Sequence, residues 1–323
     1  VESRGLGDVY KRQMIKRILY TLLIMFPVVA SAQINTDRVM AIGRNALYFE
    51  DYVLSIQYFN QVINAKPYLS DPYFYRGLAK INLDDFQGAE SDCSEAIERN
   101  PFVVSAYQVR GLARIQQNNF AGAIEDYTKA LEFDPENIGV WHNMALCRIR
   151  QEDYKGAKND LDKLIAISPR YTKAYLMRGE VDLKQKDTLA AEKDFGKAIE
   201  IDRYDADTWA SRAILRLQQQ RYKDAEADFD HAIRLSTRNS GVYINRALAR
   251  YHQNNLRGAM SDYDIALDID PNNFIGHYNR GLLRAQVGDD NRAIQDFNFV
   301  IEMEPDNMMA IFNRGLLLDQ TGD

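Results

Sequence analysis

Pro67, Pro101, Pro135, Pro169, Pro271 and Pro305 lie 34 residues, or a multiple of 34, from one another. A proline ends a helix and pushes the residue before it into extended backbone. Six of the eight prolines on one grid therefore mark the ends of a repeated helical unit. The two nodes without proline, Arg203 and Thr237, keep register, because the residues around them still match the neighbouring units. A chain with this period cannot close around one core; each unit is too small to fold alone and gains its stability from its neighbours.

A second column runs through Gly43, Gly77, Gly111, Ala145, Gly179, Ala213, Ala247, Gly281 and Gly315, again 34 apart. Twelve residues later come Ala89, Ala123, Ala157, Ala191, Ala225, Ala259 and Ala293. Small side chains at these spacings let helix axes approach near the short end of the ~8–10 Å range. Four residues before most of the Gly/Ala positions stands a large aromatic: Tyr73, Tyr107, Trp141, Tyr175, Trp209 and Tyr243. At mid-unit, Asp84-Asp85, Asn118-Asn119, Glu152-Asp153 and Gly288-Asp289 interrupt the apolar periodicity and predict a turn between two helices.

On these residues the chain resembles the tetratricopeptide repeat proteins. In residues 104–137 the family pattern reads Tyr107, Gly111, Ala123, Tyr127, Ala130 and Pro135. The resemblance implies an all-α fold, an α-α superhelix (solenoid) of 34-residue helix-turn-helix repeats. It covers eight units, 36–69, 70–103, 104–137, 138–171, 172–205, 206–239, 240–273 and 274–307, with 308–323 as the first helix of a truncated ninth. Sixteen helices and no strand are expected over 36–307.

The chain departs from the family pattern in its charges. Where the pattern has Leu before Gly, this sequence has Arg76, Arg110, Arg178, Arg212, Arg246, Arg280 and Arg314, with Met144 the exception. Three residues after the Gly/Ala stand Lys80, Arg114, Arg148, Arg216, Arg250 and Arg284. Asp92, Asp126, Asp160, Asp194, Asp228, Asp262 and Asp296 repeat in the second helix. Charges near a core need partners, so the columns predict a ladder of inter-helix ion pairs, for instance Arg178, Arg212 and Arg246 with Asp160, Asp194 and Asp228. The alternative, an arginine track for an acidic ligand, is opposed by the aspartates that would neutralise it.

The N-terminus reads as two segments. Met14-Ile-Lys-Arg17, an apolar run over Ile18–Ala30 and Ala30-Ser31-Ala32 predict a secretory signal peptide, 14–32, cleaved to leave Gln33 first, and hence a bacterial periplasmic or secreted location. The run is too short to span a bilayer, so no stable membrane insertion of the mature chain is expected. Residues 1–13 have neither targeting character nor repeat register and read as a non-native leader resembling a translated sequencing adapter. The formal net charge is −6; without the first 32 residues, 35 Lys/Arg face 44 Asp/Glu, giving −9. An acidic body argues against nucleic acid as a partner.

Catalysis finds no motif. His142, His231, His252 and His277 occupy different units without metal-ligand spacing, and there is no phosphate loop or nucleophile elbow. Cys93 and Cys147 sit at core positions in separate units and read as buried thiols. The expectation is a non-enzyme without metal or cofactor. The resemblance places a partner groove on the first helices, at Phe74, Asn82, Gln108, Gln116, His142, Arg150, Leu176, Lys184, Ile244, His252, Tyr278 and Gln286. Among these, Phe74, Gln108, His142, Leu176, Ile244 and Tyr278 share one column and differ from unit to unit, as contacts to an extended ligand would. The set needed for a two-carboxylate clamp is missing. The function expected is a scaffold binding a peptide or protein in that groove. The alternatives are the sensory ectodomain of a longer membrane-bound regulator, and a repeat domain attached to an enzyme.

Overall fold

The computed structural model describes residues 35–322 apart from Thr237; the leader and signal-peptide readings lie outside the described residues. Seventeen helices and no strand are found among them. The described residues divide into two compact units, parted between Val140 and Trp141.

In the first unit, α1 (Thr36–Tyr48), α3 (Asp71–Ile81) and α5 (Val104–Gln116) alternate with α2 (Tyr52–Ala65), α4 (Phe86–Arg99) and α6 (Phe120–Phe133). Each odd helix packs on the even helix after it, and α1 touches α3 as α3 touches α5. α7 (Ile138–Arg150) carries the division between the units.

The second unit repeats the scheme with α8 (Tyr154–Ile167), α9 (Thr172–Lys184), α10 (Thr188–Ile201), α11 (Ala206–Gln218), α12 (Tyr222–Leu235), α13 (Ser240–His252), α14 (Leu256–Ile269), α15 (Phe274–Gln286), α16 (Asp290–Met303) and α17 (Met308–Thr321). Consecutive helices from α8 to α17 pack in sequence. The architecture is thus the all-α class of stacked helix-turn-helix repeats.

The small-residue column explains the close packing. A Cβ added at Gly111 would lie 2.7 Å from Tyr127, and one at Gly179 would lie 2.6 Å from Phe195, so these aromatics fill the space a side chain would need. Tyr127 and Phe195 are wholly buried, as are Phe229 and Phe297 at the equivalent positions.

The turn inside each hairpin is equally regular. Glu50, Asp84, Asn118, Glu152, Lys186, Gln220 and Asn254 all have φ between 58° and 64°, and Gly288 follows at 79°. Left-handed backbone costs a non-glycine residue roughly 1–2 kcal/mol, least for Asn and Asp. The residue after it repays part of this by capping the next helix: Asp51, Asp85, Asn119, Asp153, Asp187 and Asn255 each accept a backbone N–H bond.

Candidate functional site

The aspartate column is buried, with Asp92, Asp126, Asp160, Asp194, Asp228, Asp262 and Asp296 all 5% exposed or less. Six arginines of the first column, all but Arg314, grip the aspartate 16 residues onward in their own hairpins. Arg76 holds Asp92, and Arg110 holds Asp126. Arg178 holds Asp194, Arg212 holds Asp228, Arg246 holds Asp262 and Arg280 holds Asp296. Of the aspartates named from the sequence for Arg178, Arg212 and Arg246, Asp194 and Asp228 are met, by Arg178 and Arg212, whereas Arg246 meets Asp262 and none of the three meets Asp160. The column fixes position only modulo the repeat, and the +16 offset brings the two charges together across one helical hairpin.

The remaining guanidinium nitrogen reaches backward by the same interval. Arg76 donates to Asn60, Arg110 to Ser94, Arg178 to Asp162, Arg246 to Asp230, Arg280 to Asp264 and Arg314 to Asn298. The second basic column completes the shell. Lys80, Arg114, Arg148, Arg216, Arg250 and Arg284 each pair with the aspartate 12 residues on. Arg114, Arg216 and Arg250 also reach Glu90, Glu192 and Glu226 in the hairpin before.

Two hairpins break this pattern, and sequence reasoning missed both consequences. In α9 the second basic position is Asp182, only 1% exposed, and opposite it, at the position of Glu90, Glu192 and Glu226, stands Lys158, which pairs with it. The pair is charge-reversed, and the signal was available because both columns change sign together. In α7 the arginine is replaced by Met144, so Asp160 keeps only Arg148 for an ion pair. That contact is a single one, 2.7 Å from Nε to Oδ2. Burial, which Arg148 does not offset, pushes the Asp160 carboxyl from 3.8 up to about 6.

The sign follows. The fold binds the proton more tightly than the unfolded chain, so stability from this group falls as pH rises from about 4 to about 6. Asp160→Asn is expected to stabilise the second unit at pH 7 by ~1–2 kcal/mol. The gain should vanish near pH 4, as read by urea unfolding at both values.

The expected groove residues divide. In the first unit, Phe74 is half-buried against the cluster of Tyr73, Ala96 and Ala106, and Gln108 is half-buried, while Asn82 and Gln116 are exposed. In the second, Arg150, Lys184 and Gln286 are exposed, and Tyr278 accepts a bond from Asn313. Ile244 is a correction: at 7% exposure it belongs to the core with Tyr243 and Leu283. His252 is exposed but stacks at 4.6 Å on Tyr222 of the preceding hairpin.

The structure brings His142 and Leu176 together. They share a cleft of about 570 Å³ with Tyr171 and Met177, lined also by Arg170 and Lys173 and by Asp202, Asp205 and Asp207. His142 Nδ1 lies 3.3 Å from the Tyr171 hydroxyl. Burial, then Lys173, lower the pKa of His142, so the imidazole is neutral near pH 7. Lys184 lies apart, in a second cleft with Glu180, Tyr154 and Gln218.

No group of His, Cys, Asp and Glu that could hold a metal ion occurs among the described residues, and none of their helices is long and apolar enough to cross a membrane. Cys93 and Cys147 are free and buried, and burial pushes their thiols up to about 12 and about 11. Neither is a thiolate nucleophile near neutral pH.

Family models described as TPR repeat and Tetratricopeptide repeat match residues 111–147, 138–171, 172–205 and 211–274. No curated protein sequence matches the chain. Among solved structures, a tetratricopeptide repeat protein from Parabacteroides merdae is 21% identical, with TM-score 0.58 over 77% of this chain and 98% of its own. PilF of Pseudomonas aeruginosa is 19% identical, with TM-score 0.56 over 67% of this chain and 97% of its own. The APC/C hetero-tetramer Cut9–Hcn1 is 14% identical, with TM-score 0.58 over 83% of this chain and 52% of that one. At these identities the likeness is one of fold.

Proposed function

Since the chain belongs to the tetratricopeptide repeat proteins, we propose that it is a non-catalytic scaffold that binds an extended peptide segment of a protein partner. The cleft of His142, Tyr171, Leu176 and Met177 carries this reading. It has what a peptide site needs: apolar and aromatic side chains, a neutral imidazole, and charges of both signs in its lining. Asp205 also accepts from the backbone of Asp207 and the Thr208 hydroxyl, which fixes that part of the acidic lining to the start of α11. The assembly of Cut9 with Hcn1 is a precedent for partner binding by a protein of similar fold.

The test is selection of peptides from a displayed library, followed by affinity measurement against Leu176→Glu. Selected peptides are expected to bind the parent chain and to lose at least ~10-fold in affinity to the variant. Failure to select any peptide, or equal binding by the variant, would remove the cleft from consideration.

The same proposal places the partner in the periplasm or outside the cell. Protein exported from a bacterial host should give an N-terminal sequence beginning at Gln33.

A further inference from the structure

We propose that a third cleft, between α10 and α12 over Trp209, is an anion site that takes a side-chain carboxylate of an acidic peptide. The cleft measures about 390 Å³ and is walled by Arg203, Trp209, His231 and Arg234. Two departures from the repeat line it and a third stands beside Arg212, whose guanidinium lies over Trp209; each leaves positive charge less neutralised. At the first, Arg203 replaces the proline of the grid. At the second, Arg234 occupies a position that is acidic in five other units, as at Glu98, Glu132, Asp268 and Glu302. At the third, Gly196 stands where Asp162, Asp230 and Asp264 bind the backward-reaching nitrogen of Arg178, Arg246 and Arg280.

Arg212 is therefore the arginine of its column whose Nη1 has no hydrogen-bond acceptor among the described residues, although its other nitrogens hold Asp228. Its guanidinium carbon lies 5.0 Å from the Trp209 ring centroid, and Trp209 is stacked at 4.2 Å on the exposed His231. Arg203 and Arg234 are exposed and have no ion-pair partner among the described residues. The cationic side chains thus surround an aromatic pair rather than an acidic one.

The ligand chemistry follows from size and field. The volume admits one or two side chains, and Tyr204, 76% exposed at the rim, offers an aromatic edge. The body beyond residue 32 carries −9 and the cleft includes Glu200, which pairs with Lys197. A polyanion would meet repulsion over most of its length, whereas a single carboxylate next to an apolar or aromatic group would not.

Gly196 supplies the decisive variant. A Cβ there would meet only Arg212 Nη1, at 4.0 Å, so Gly196→Asp is free of clash and would restore the acceptor the other units have. Because it also removes a glycine from a helix interior, it should keep or raise the melting temperature. Arg234→Glu restores the usual charge at the second position.

The probe is a labelled, N-acetylated, C-amidated peptide with two glutamates flanking a tyrosine, followed by fluorescence anisotropy on the whole chain. We expect saturable binding, at least ~10-fold weaker for the glutamine counterpart and for Gly196→Asp, with Arg234→Glu also weaker. Equal binding of the glutamine peptide would overturn the proposal, as would indifference to both substitutions. Loss of binding only in Leu176→Glu would assign the peptide to the His142 cleft and overturn it too. Preference for single-stranded RNA over the peptide would replace the carboxylate ligand with a polyanion.

Discussion

Arg178→Leu will cost the second unit about 3–5 kcal/mol, clearly more than the same change at Arg246. Both arginines bind a buried aspartate with two nitrogens, yet their surroundings differ. Asp262 keeps a second ion pair, with Arg250, when Arg246 is removed. Asp194 has Arg178 as its ion-pair partner, and the position that would supply a second cation is Asp182. Leucine at 178 would leave Asp194, 5% exposed, without a cation, the situation in which desolvation is uncompensated. Leucine at 246 should cost about 1–3 kcal/mol. Adding Asp194→Asn to Arg178→Leu should recover part of the loss, and strict additivity of the two single changes would mean that the pair is not coupled. Because repeat arrays open locally, urea unfolding should be read together with amide exchange in α9 and α10.

Phe195→Ala is expected to cost a similar amount, about 3–5 kcal/mol, by a different mechanism. The ring is wholly buried, packs with Ala191 and Leu215 and occupies the space above Gly179. Truncation leaves a cavity between α9, α10 and α11 that three helices must share. The converse change, Gly179→Val, places atoms inside the 2.6 Å approach of Phe195 to the missing Cβ and should cost about 1–3 kcal/mol by overpacking. Thermal unfolding of both variants checks the pair. A negligible effect from either would mean that the joint is not close-packed.

The hairpins, their small-residue joints and the existence of paired charge columns could be read from the sequence because all three recur with the same 34-residue period. A period leaves some things open. Arginine and aspartate columns are compatible with an offset of +16 or −18, and only packing of α9 against α10 selects Asp194 over Asp160 for Arg178. Variability along a column does not reveal exposure. Ile244 varies from its counterparts as a ligand contact would, yet its side chain is in the core beside Leu267 and Leu283 because neighbouring Gly276 opens a hollow for it. The charge gap at Met144 was legible, but its consequence for Asp160 was not, since that depends on how Arg148 approaches. Gly196, Arg203 and Arg234 are likewise visible as departures, but that Arg203 and Arg234 line one cleft over Trp209, with Gly196 beside Arg212, requires the third dimension.

The reversed pair of Lys158 and Asp182 bears on how such a chain finds its own neighbours while it folds. Nearly identical hairpins can in principle dock one place out of order, and most joints here would tolerate it, since Glu90, Glu192 and Glu226 present the same sign to Arg114, Arg216 and Arg250. The joint between α8 and α9 works as a key with its polarity exchanged. If α8 met α11 instead, Lys158 would face Arg216; if α12 met α9, Glu226 would face Asp182. Either error would bring like charges together in a half-buried seam, a repulsion large enough to make the misordered stack a short-lived one. One swapped couple thereby gives a repetitive polymer an internal address.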